Sequence, residues 1–134
     1  PLIITPHLKE MSRLNSKSVS EIKQSKTNTA LSFARENGCA VVLKDFQTVI
    51  AMPSGEVFES LGGHSAMAKG GSGDVLAGMI SAFIASGETV QNACLLGVYL
   101  HARAGEICGE NLGDRCVLAS DIIDAIPSAF SSLK

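Results

Sequence analysis

The sequence predicts an α/β fold in which helices cover a mainly parallel sheet, and three observations support this. The short apolar run Ala40–Leu43 is typical of a strand that is covered on both faces. Segments with helical periodicity lie on either side of it, at residues 7–36 and from Asp74 onward. The 134 residues are 46% hydrophobic and 18% charged, which favours a single globular domain over a disordered chain.

The elements of the first half follow from local signals. Residues 2–4 predict the end of a strand, and Thr5-Pro6 predicts a helix entry with the threonine as cap and the proline in the first turn. Ser18 and Glu21 match a capping box. The apolar stripe of the following helix stops at Asn37-Gly38, a typical helix end.

The next elements are a hairpin and three helices. Residues 48–52 and 57–59 flank a tight-turn sequence, which predicts two paired strands. The helix from Asp74 should stop at Gly87, and Ser120 with Asp121 should cap the last helix, which Pro127 breaks or restarts. One face of the helix between them carries Val90, Ala93, Cys94, Gly97, Val98, His101 and Ala104.

Residues 70–78, Gly-Gly-Ser-Gly-Asp-Val-Leu-Ala-Gly, open a helix with a glycine-rich turn. A helix start has unpaired N–H groups and a partial positive charge, and Gly70, Gly71 and Gly73 let an anion approach them. The chain lacks the Gly-Lys-Ser/Thr of a Walker loop, and Leu76 breaks a dinucleotide-binding fingerprint. Asp74 is placed to act as a general base beside a phosphoryl group. The alternative is a turn that Ser72 and Asp74 cap and that binds no ligand.

Composition excludes several classes of protein. The formal charge of -2 and the lack of a long basic run argue against nucleic acid, and no segment is apolar for long enough to span a membrane. Cys39, Cys94, Cys108 and Cys116 form no metal-like grouping, which predicts reduced thiols and a cytoplasmic protein. Because residues 2–4 resemble a strand already under way after Pro1, we expect an N-terminal part of the same protein to be missing.

Three separated segments carry a family resemblance: Thr5-Pro6-His7, residues 44–48 (Lys-Asp-Phe-Gln-Thr) and residues 67–74 (Met-Ala-Lys-Gly-Gly-Ser-Gly-Asp). Together they resemble the NAD(P)H-hydrate dehydratases, a branch of the ribokinase-like, or carbohydrate kinase, superfamily. The similarity extends through residues 97–101 and 118–121. It implies the C-terminal part of a ribokinase-like catalytic domain over residues 1–134.

The resemblance implies a metabolite-repair lyase. Such enzymes use ADP or ATP to dehydrate the S epimer of hydrated NADH or NADPH, with Mg²⁺ on the nucleotide phosphates, and we expect a homo-oligomer. By position, His7 contacts the hydrated dinucleotide and Asp74 lies at its reacting hydroxyl as general base. The implied nucleotide-binding residues are Lys44, Asp45, Phe46, Gln47, Thr48, Gly71, Ser72 and Gly73.

Several positions depart from the family pattern or stay open. Leu8-Lys9 follows His7 where the family has Pro-Gly, and Phe46 and His64 could alter nucleotide preference or approach. His64 fits the pocket and a surface loop equally well, and His101 is expected to be a satisfied packing histidine. The alternatives to a dehydratase are a ribokinase-like kinase of a small alcohol or vitamin precursor, and a nucleotide-binding module without turnover.

Overall fold

A computed structural model describes residues 1–61, 63 and 65–133. The chain divides into two compact units, residues 1–61 and residues 62–134. The first contains β1 (Ile3–Ile4), α1 (Leu8–Asn15), α2 (Val19–Gln24), α3 (Lys26–Asn37), β2 (Ala40–Leu43), β3 (Val49–Ala51) and β4 (Val57–Glu59). The second contains a 3₁₀ turn (Ser65–Met67), α4 (Ser72–Ala85), α5 (Val90–Leu112) and α6 (Ala119–Ser131). In the described part of the chain, no helix combines the length and the apolar character needed to cross a membrane.

The four strands of the first unit form one sheet in the order β1-β2-β3-β4. β1 and β2 are parallel, with Ile3 opposite Ala40 and Ile4 opposite Val41. The predicted hairpin is confirmed, since β3 pairs antiparallel with both β2 and β4. The α/β class is therefore confirmed. Among the described strands, β1 and β2 form a parallel pair. The hairpin adds the antiparallel pairs β2–β3 and β3–β4.

Strand β2 lies in the core of the first unit. All four of its residues are buried, as predicted for a strand covered on both faces. Val41 and Leu43, which alternate onto one face, share a cluster with fully buried helix residues, namely Met11, Ile22, Ala30 and Ala34. Removal of these apolar side chains from water is what holds α1, α2 and α3 against the sheet.

The first helix begins later than the sequence predicted. Thr5 is not its cap and Pro6 is not in its first turn: His7 is the N-cap and α1 starts at Leu8. The Pro6 carbonyl instead accepts a hydrogen bond from the Lys44 N–H at 2.8 Å, which keeps the chain extended beside β2 for two more residues. The predicted Ser18–Glu21 capping box and the left-handed end at Gly38 are both present.

Close contact between α4 and α5 organises the second unit. A Cβ atom on Gly97 would lie 2.6 Å from Cγ1 of Ile80, so the glycine allows the two helices to approach closely. The predicted face of α5 is confirmed by the buried residues Ala93, Cys94, Gly97, Val98, His101 and Ala104. Gly87, with φ at +99°, follows the end of α4 as expected.

Of the predicted capping pair of the last helix, Asp121 is confirmed and Ser120 is wrong, and the predicted break at Pro127 is also wrong. Leu118 is the N-cap of α6 and its N–H donates to the Asp121 carboxylate at 2.7 Å, so Ser120 lies inside the first turn. Pro127 does not break the helix, which runs on to Ser131. Ile122 and Ala129 are fully buried on either side of the exposed proline, and their packing holds both halves of the helix in line.

Candidate nucleotide and substrate site

The parallel strands bring two predicted site residues together in the first unit. The pairing of β1 with β2 continues past the strand ends as a parallel bridge between His7 and Lys44. The carboxyl ends of two parallel strands therefore present an imidazole and an ammonium group next to each other, with His7 exposed and Lys44 half-buried. Ligands of open α/β sheets bind at such strand ends.

The capping of α1 determines how His7 can contact a ligand. The ring Nδ1 of His7 accepts a hydrogen bond from the backbone N–H of Glu10 at 3.1 Å. The backbone N–H of His7 donates to the Glu10 carboxylate at 2.8 Å. The hydrogen bond from the His7 backbone lowers the pKa of Glu10 below its ordinary value, against a smaller opposing effect of burial. With Nδ1 occupied as an acceptor, a neutral His7 ring carries its proton on Nε2, which makes that atom a donor.

The segment 44–48 is held by Lys26, which the sequence analysis missed. Lys26 Nζ lies 3.0 Å from Oδ2 of Asp45 and donates to the Gln47 carbonyl at 2.9 Å. Burial alone would raise the pKa of Asp45, but hydrogen bonds from Lys26 and from the Phe46 backbone, with the positive charge of Lys26, leave it below its ordinary value. The Asp45 carboxylate is thus already paired within the first unit.

The remaining residues of this segment differ in what they expose. Phe46 is 68% exposed, so its ring is available for stacking. Thr48 donates its N–H to the Ser60 hydroxyl at 2.9 Å, and its carbonyl accepts the Ser60 N–H at the same distance. The structure therefore fixes the segment at its Thr48 end and through Lys26, with the aromatic residue between them facing solvent.

The glycine-rich turn of the second unit opens a helix, as its sequence predicted, but α4 starts at Ser72, two residues before the predicted start at Asp74. Gly71 is the N-cap of α4 with φ at +87°, and a Cβ atom there would lie 3.1 Å from Cβ of Ala119. The Asp74 N–H donates to the Gly71 carbonyl at 3.1 Å. This bond satisfies one of the first N–H groups of α4, which have no carbonyl four residues earlier in the helix. The Asp74 side chain is exposed and pairs with no other described residue, so its carboxylate can receive a proton from a ligand.

Ser72 points away from solvent, unlike Asp74. Its hydroxyl lies 3.1 Å from Nε2 of His101, and both side chains are buried. This confirms His101 as a satisfied packing histidine and identifies a partner that the sequence did not reveal. Any contact of Ser72 with a nucleotide therefore falls to its backbone.

Two flanking residues also pack within the second unit. The Met67 side chain lies against Gly105, where a Cβ atom would come within 2.3 Å of Met67 Cγ, so this methionine packs against α5. Lys69 Nζ lies 3.4 Å from the Arg115 carbonyl oxygen. His64, whose role the sequence left open, lies outside the described residues.

The fold and the glycine-rich helix start define a protein of the ribokinase-like class. A ribokinase-like superfamily protein from Enterococcus faecalis has a TM-score of 0.83 and 32% identity, with 97% of this chain and 44% of that protein covered. Within this class, the chain belongs to the NAD(P)H-hydrate dehydratase family, whose sequence profile matches residues 1–128.

The chain is similar to several characterised members. It is 40% identical over its whole length to a bifunctional NAD(P)H-hydrate repair enzyme of Thermofilum pendens, of which it covers 26%. It is 35% identical over 127 residues to the ADP-dependent (S)-NAD(P)H-hydrate dehydratase of Bacillus subtilis, covering 95% of this chain and 46% of that protein. A crystal structure of the ADP/ATP-dependent NAD(P)H-hydrate dehydratase from B. subtilis, co-crystallised with ATP/Mg²⁺ and soaked with CoA, matches with a TM-score of 0.95 and 34% identity over 100% of this chain and 50% of that one. The chain thus spans from about a quarter to half of these relatives.

Proposed function

We propose that the intact protein dehydrates the S epimer of hydrated NADH or NADPH with ADP or ATP as co-substrate, and so acts as a carbon–oxygen lyase. The observation that carries this proposal is the exposed Asp74 carboxylate in the first turn of α4, directly after the left-handed Gly71. Membership of the NAD(P)H-hydrate dehydratase family supports the choice of reaction.

Each part of the proposed reaction uses a different group. Asp74 takes the proton of the ring hydroxyl as the hydroxyl oxygen attacks the terminal phosphoryl group of the nucleotide. The bond between that phosphorus and its bridging oxygen breaks, and ADP leaves from ATP, or AMP from ADP, with the electron pair. The phosphate then leaves with the electron pair of the carbon–oxygen bond, and loss of a proton from the neighbouring carbon restores the reduced nicotinamide. The His7 ring binds the hydrated dinucleotide, and its Nε2 lies 3.4 Å from Oε1 of Glu10.

The residues proposed to bind the nucleotide are segment 44–48 in the first unit and the backbone of Gly71, Ser72 and Gly73 in the second unit. Lys44 adds positive charge for the phosphates, and the exposed ring of Phe46 offers a stacking surface for the base. Contacts from Lys26 keep the segment in one conformation before the nucleotide arrives, which lowers the entropy lost on binding.

Magnesium fits this site as a companion of the nucleotide. Among the described residues, no group of three or more His, Cys, Asp or Glu side chains could hold a metal ion. Mg²⁺ commonly keeps several waters and binds through substrate phosphates, so the ion is proposed to arrive with the nucleotide. When bound, the ion would neutralise phosphate charge while Asp74 and the turn at Gly71 orient the reacting groups.

Two further expectations remain proposals. The buried thiols of Cys39, Cys94 and Cys108 are free, which suits a reducing compartment such as the cytoplasm. A homo-oligomer, expected from the family resemblance, would be detected by light scattering of the purified protein.

The decisive assay supplies S-NADHX with ADP or ATP to the intact protein and follows the return of NADH absorbance. We expect Asp74→Asn to fold normally and to lower turnover by about a hundredfold or more, as is common on loss of a general base. The matched control is Asp124→Asn, which removes an exposed carboxylate from α6 and should leave turnover unchanged.

The outcomes separate the alternatives. Wild-type protein that restores no NADH with either nucleotide would refute the proposal. A stable phosphorylated product would instead indicate a small-alcohol kinase, and tight ADP binding without consumption of substrate would indicate a binding module. Near-normal turnover by Asp74→Asn would remove Asp74 from the role of base.

A further inference from the structure

The contact between Ser72 and His101 is the polar end of an otherwise apolar helix interface. On α4, Ser72, Leu76 and Ile80 follow at intervals of four residues and therefore lie on one face. On α5, Gly97 lies one turn before His101 and touches Ile80. The Ser72 hydroxyl is 3.1 Å from His101 Nε2 at the end of this face, where α4 begins.

Burial makes this hydrogen bond specific. Ser72 is 4% exposed and His101 is 7% exposed, so neither group can exchange its partner freely for water. An apolar pair would fill the same space without the desolvation penalty of two polar groups. The polar pair instead fixes the orientation of the first turn of α4, because its hydrogen bond restricts rotation of that turn.

The direction of that turn determines where the Asp74 carboxylate points. Successive residues of an α-helix are about 100° apart, so Asp74 projects about 200° away from Ser72. Ser72 is held inward against α5 and Asp74 is accordingly exposed. A rotation or fraying of the first turn would move the carboxylate and the N–H groups of the glycine-rich turn together.

We propose that His101 is a positioning residue for phosphoryl transfer, acting through Ser72 to orient Asp74. The inference rests on the proposed function, since it assigns His101 a part in that reaction. His101 is buried, and we assign it an effect through Ser72 and no direct contact with the substrate. Its effect should appear in the chemical step, because misplacement of a reacting group by about 1 Å can slow a reaction about a hundredfold.

The test compares three single variants and one double variant in the NADHX assay. His101→Leu and Ser72→Ala should each lower kcat about 10- to 100-fold while the KM for nucleotide changes less than about threefold. The double variant should be no worse than the poorer single variant, because both changes remove the same bond. His101→Gln retains a terminal amide that can reach Ser72 and should recover most of the lost kcat.

Several results would overturn the inference. A merely structural role would lower the unfolding midpoint of Ser72→Ala and His101→Leu, leave kcat of the folded protein normal, and give additive effects. Should His101→Leu fail to fold, Ser72→Ala still tests the bond with the histidine in place, and a normal kcat for that variant would refute the inference.

A second measurement keeps the inference independent of the proposed function. Hydrogen exchange at the amides of Asp74 and Val75, which donate to the Gly71 carbonyl, reports the order of the first turn. Exchange should be at least about tenfold faster in Ser72→Ala and near normal in His101→Gln. Wild-type protein that lacks NADHX turnover but shows this pattern would refute the dehydratase proposal alone, whereas unchanged exchange would refute the ordering role of His101.

Discussion

Replacement of Gly71 by alanine tests the geometry of the glycine-rich turn most directly. Gly71 has φ at +87° and ψ at -17°, a region that residues with a side chain rarely adopt. The left-handed conformation costs an L-residue about 1–2 kcal/mol. The new methyl carbon would also lie 3.1 Å from Cβ of Ala119, so the start of α6 would have to shift by a few tenths of an ångström.

The net effect follows from these terms. Alanine also restricts the unfolded chain, which offsets about 0.4–1 kcal/mol. We therefore expect Gly71→Ala to lower the free energy of unfolding by about 1 kcal/mol, to which the close contact with Ala119 adds. Because the strain falls on the turn that carries Asp74, turnover should fall at least about tenfold.

Chemical denaturation and steady-state kinetics of matched variants provide the assay. Gly70→Ala is the control, since that residue has no positive φ and a Cβ atom there meets nothing within 4 Å. Gly71→Asn separates the two causes, because asparagine tolerates a left-handed backbone yet still places a Cβ near Ala119. Equal stability and equal turnover of Gly71→Ala and Gly70→Ala would refute the reasoning.

Two predictions concern other parts of the fold. Because Lys26 holds the pKa of Asp45 below its ordinary value, the pair stabilises the protein fully above about pH 4 and loses this effect as the pH falls through the lower folded value. Lys26→Met should therefore lower the free energy of unfolding by about 1 kcal/mol at neutral pH, and by less below pH ~4. The control Lys9→Met should leave the free energy of unfolding unchanged. A difference between Lys26→Met and the wild-type protein that does not vary with pH would contradict this prediction. Pro127→Ala should raise the unfolding free energy by about 2 kcal/mol. Proline inside a helix costs about 3 kcal/mol, and its restriction of the unfolded chain offsets about 0.4–1 kcal/mol of that cost. Denaturant midpoints measure the gain, with the exposed Ser128→Ala as the neutral control, and no gain would contradict the prediction.

Sequence signals predicted the elements whose causes are local. The Ser18–Glu21 capping box, the left-handed glycines and the buried strand β2 depend on a few neighbouring residues, and all are present. The N-cap at His7 was missed because Thr5 and Pro6 offered a more common cap, while the parallel pairing with Lys44 prolonged the extended chain.

Tertiary contacts account for what could not be predicted. Lys26 meets Asp45 across 19 positions of the chain, and Ser72 meets His101 across 29, so no local pattern links either pair. Pro127 is tolerated because the packing of α6 outweighs the preference of a single residue. Candidate site residues can be proposed from residue type and motif, whereas the long-range contacts of Lys26 and His101 have no such signal in the sequence.

The register of β1 and β2 has a consequence for engineering. Ile3–Ala40, Ile4–Val41 and His7–Lys44 are separated by the same number of positions, so one ladder of main-chain bonds aligns the two site residues. Insertions or deletions in the connections between α1, α2 and α3 leave that ladder intact and should be tolerated by the site. A one-residue slip of β2 would instead turn Lys44 to the opposite face of the sheet. Libraries that vary the crossover and preserve the strands could therefore retune stability without disturbing the alignment of His7 with Lys44.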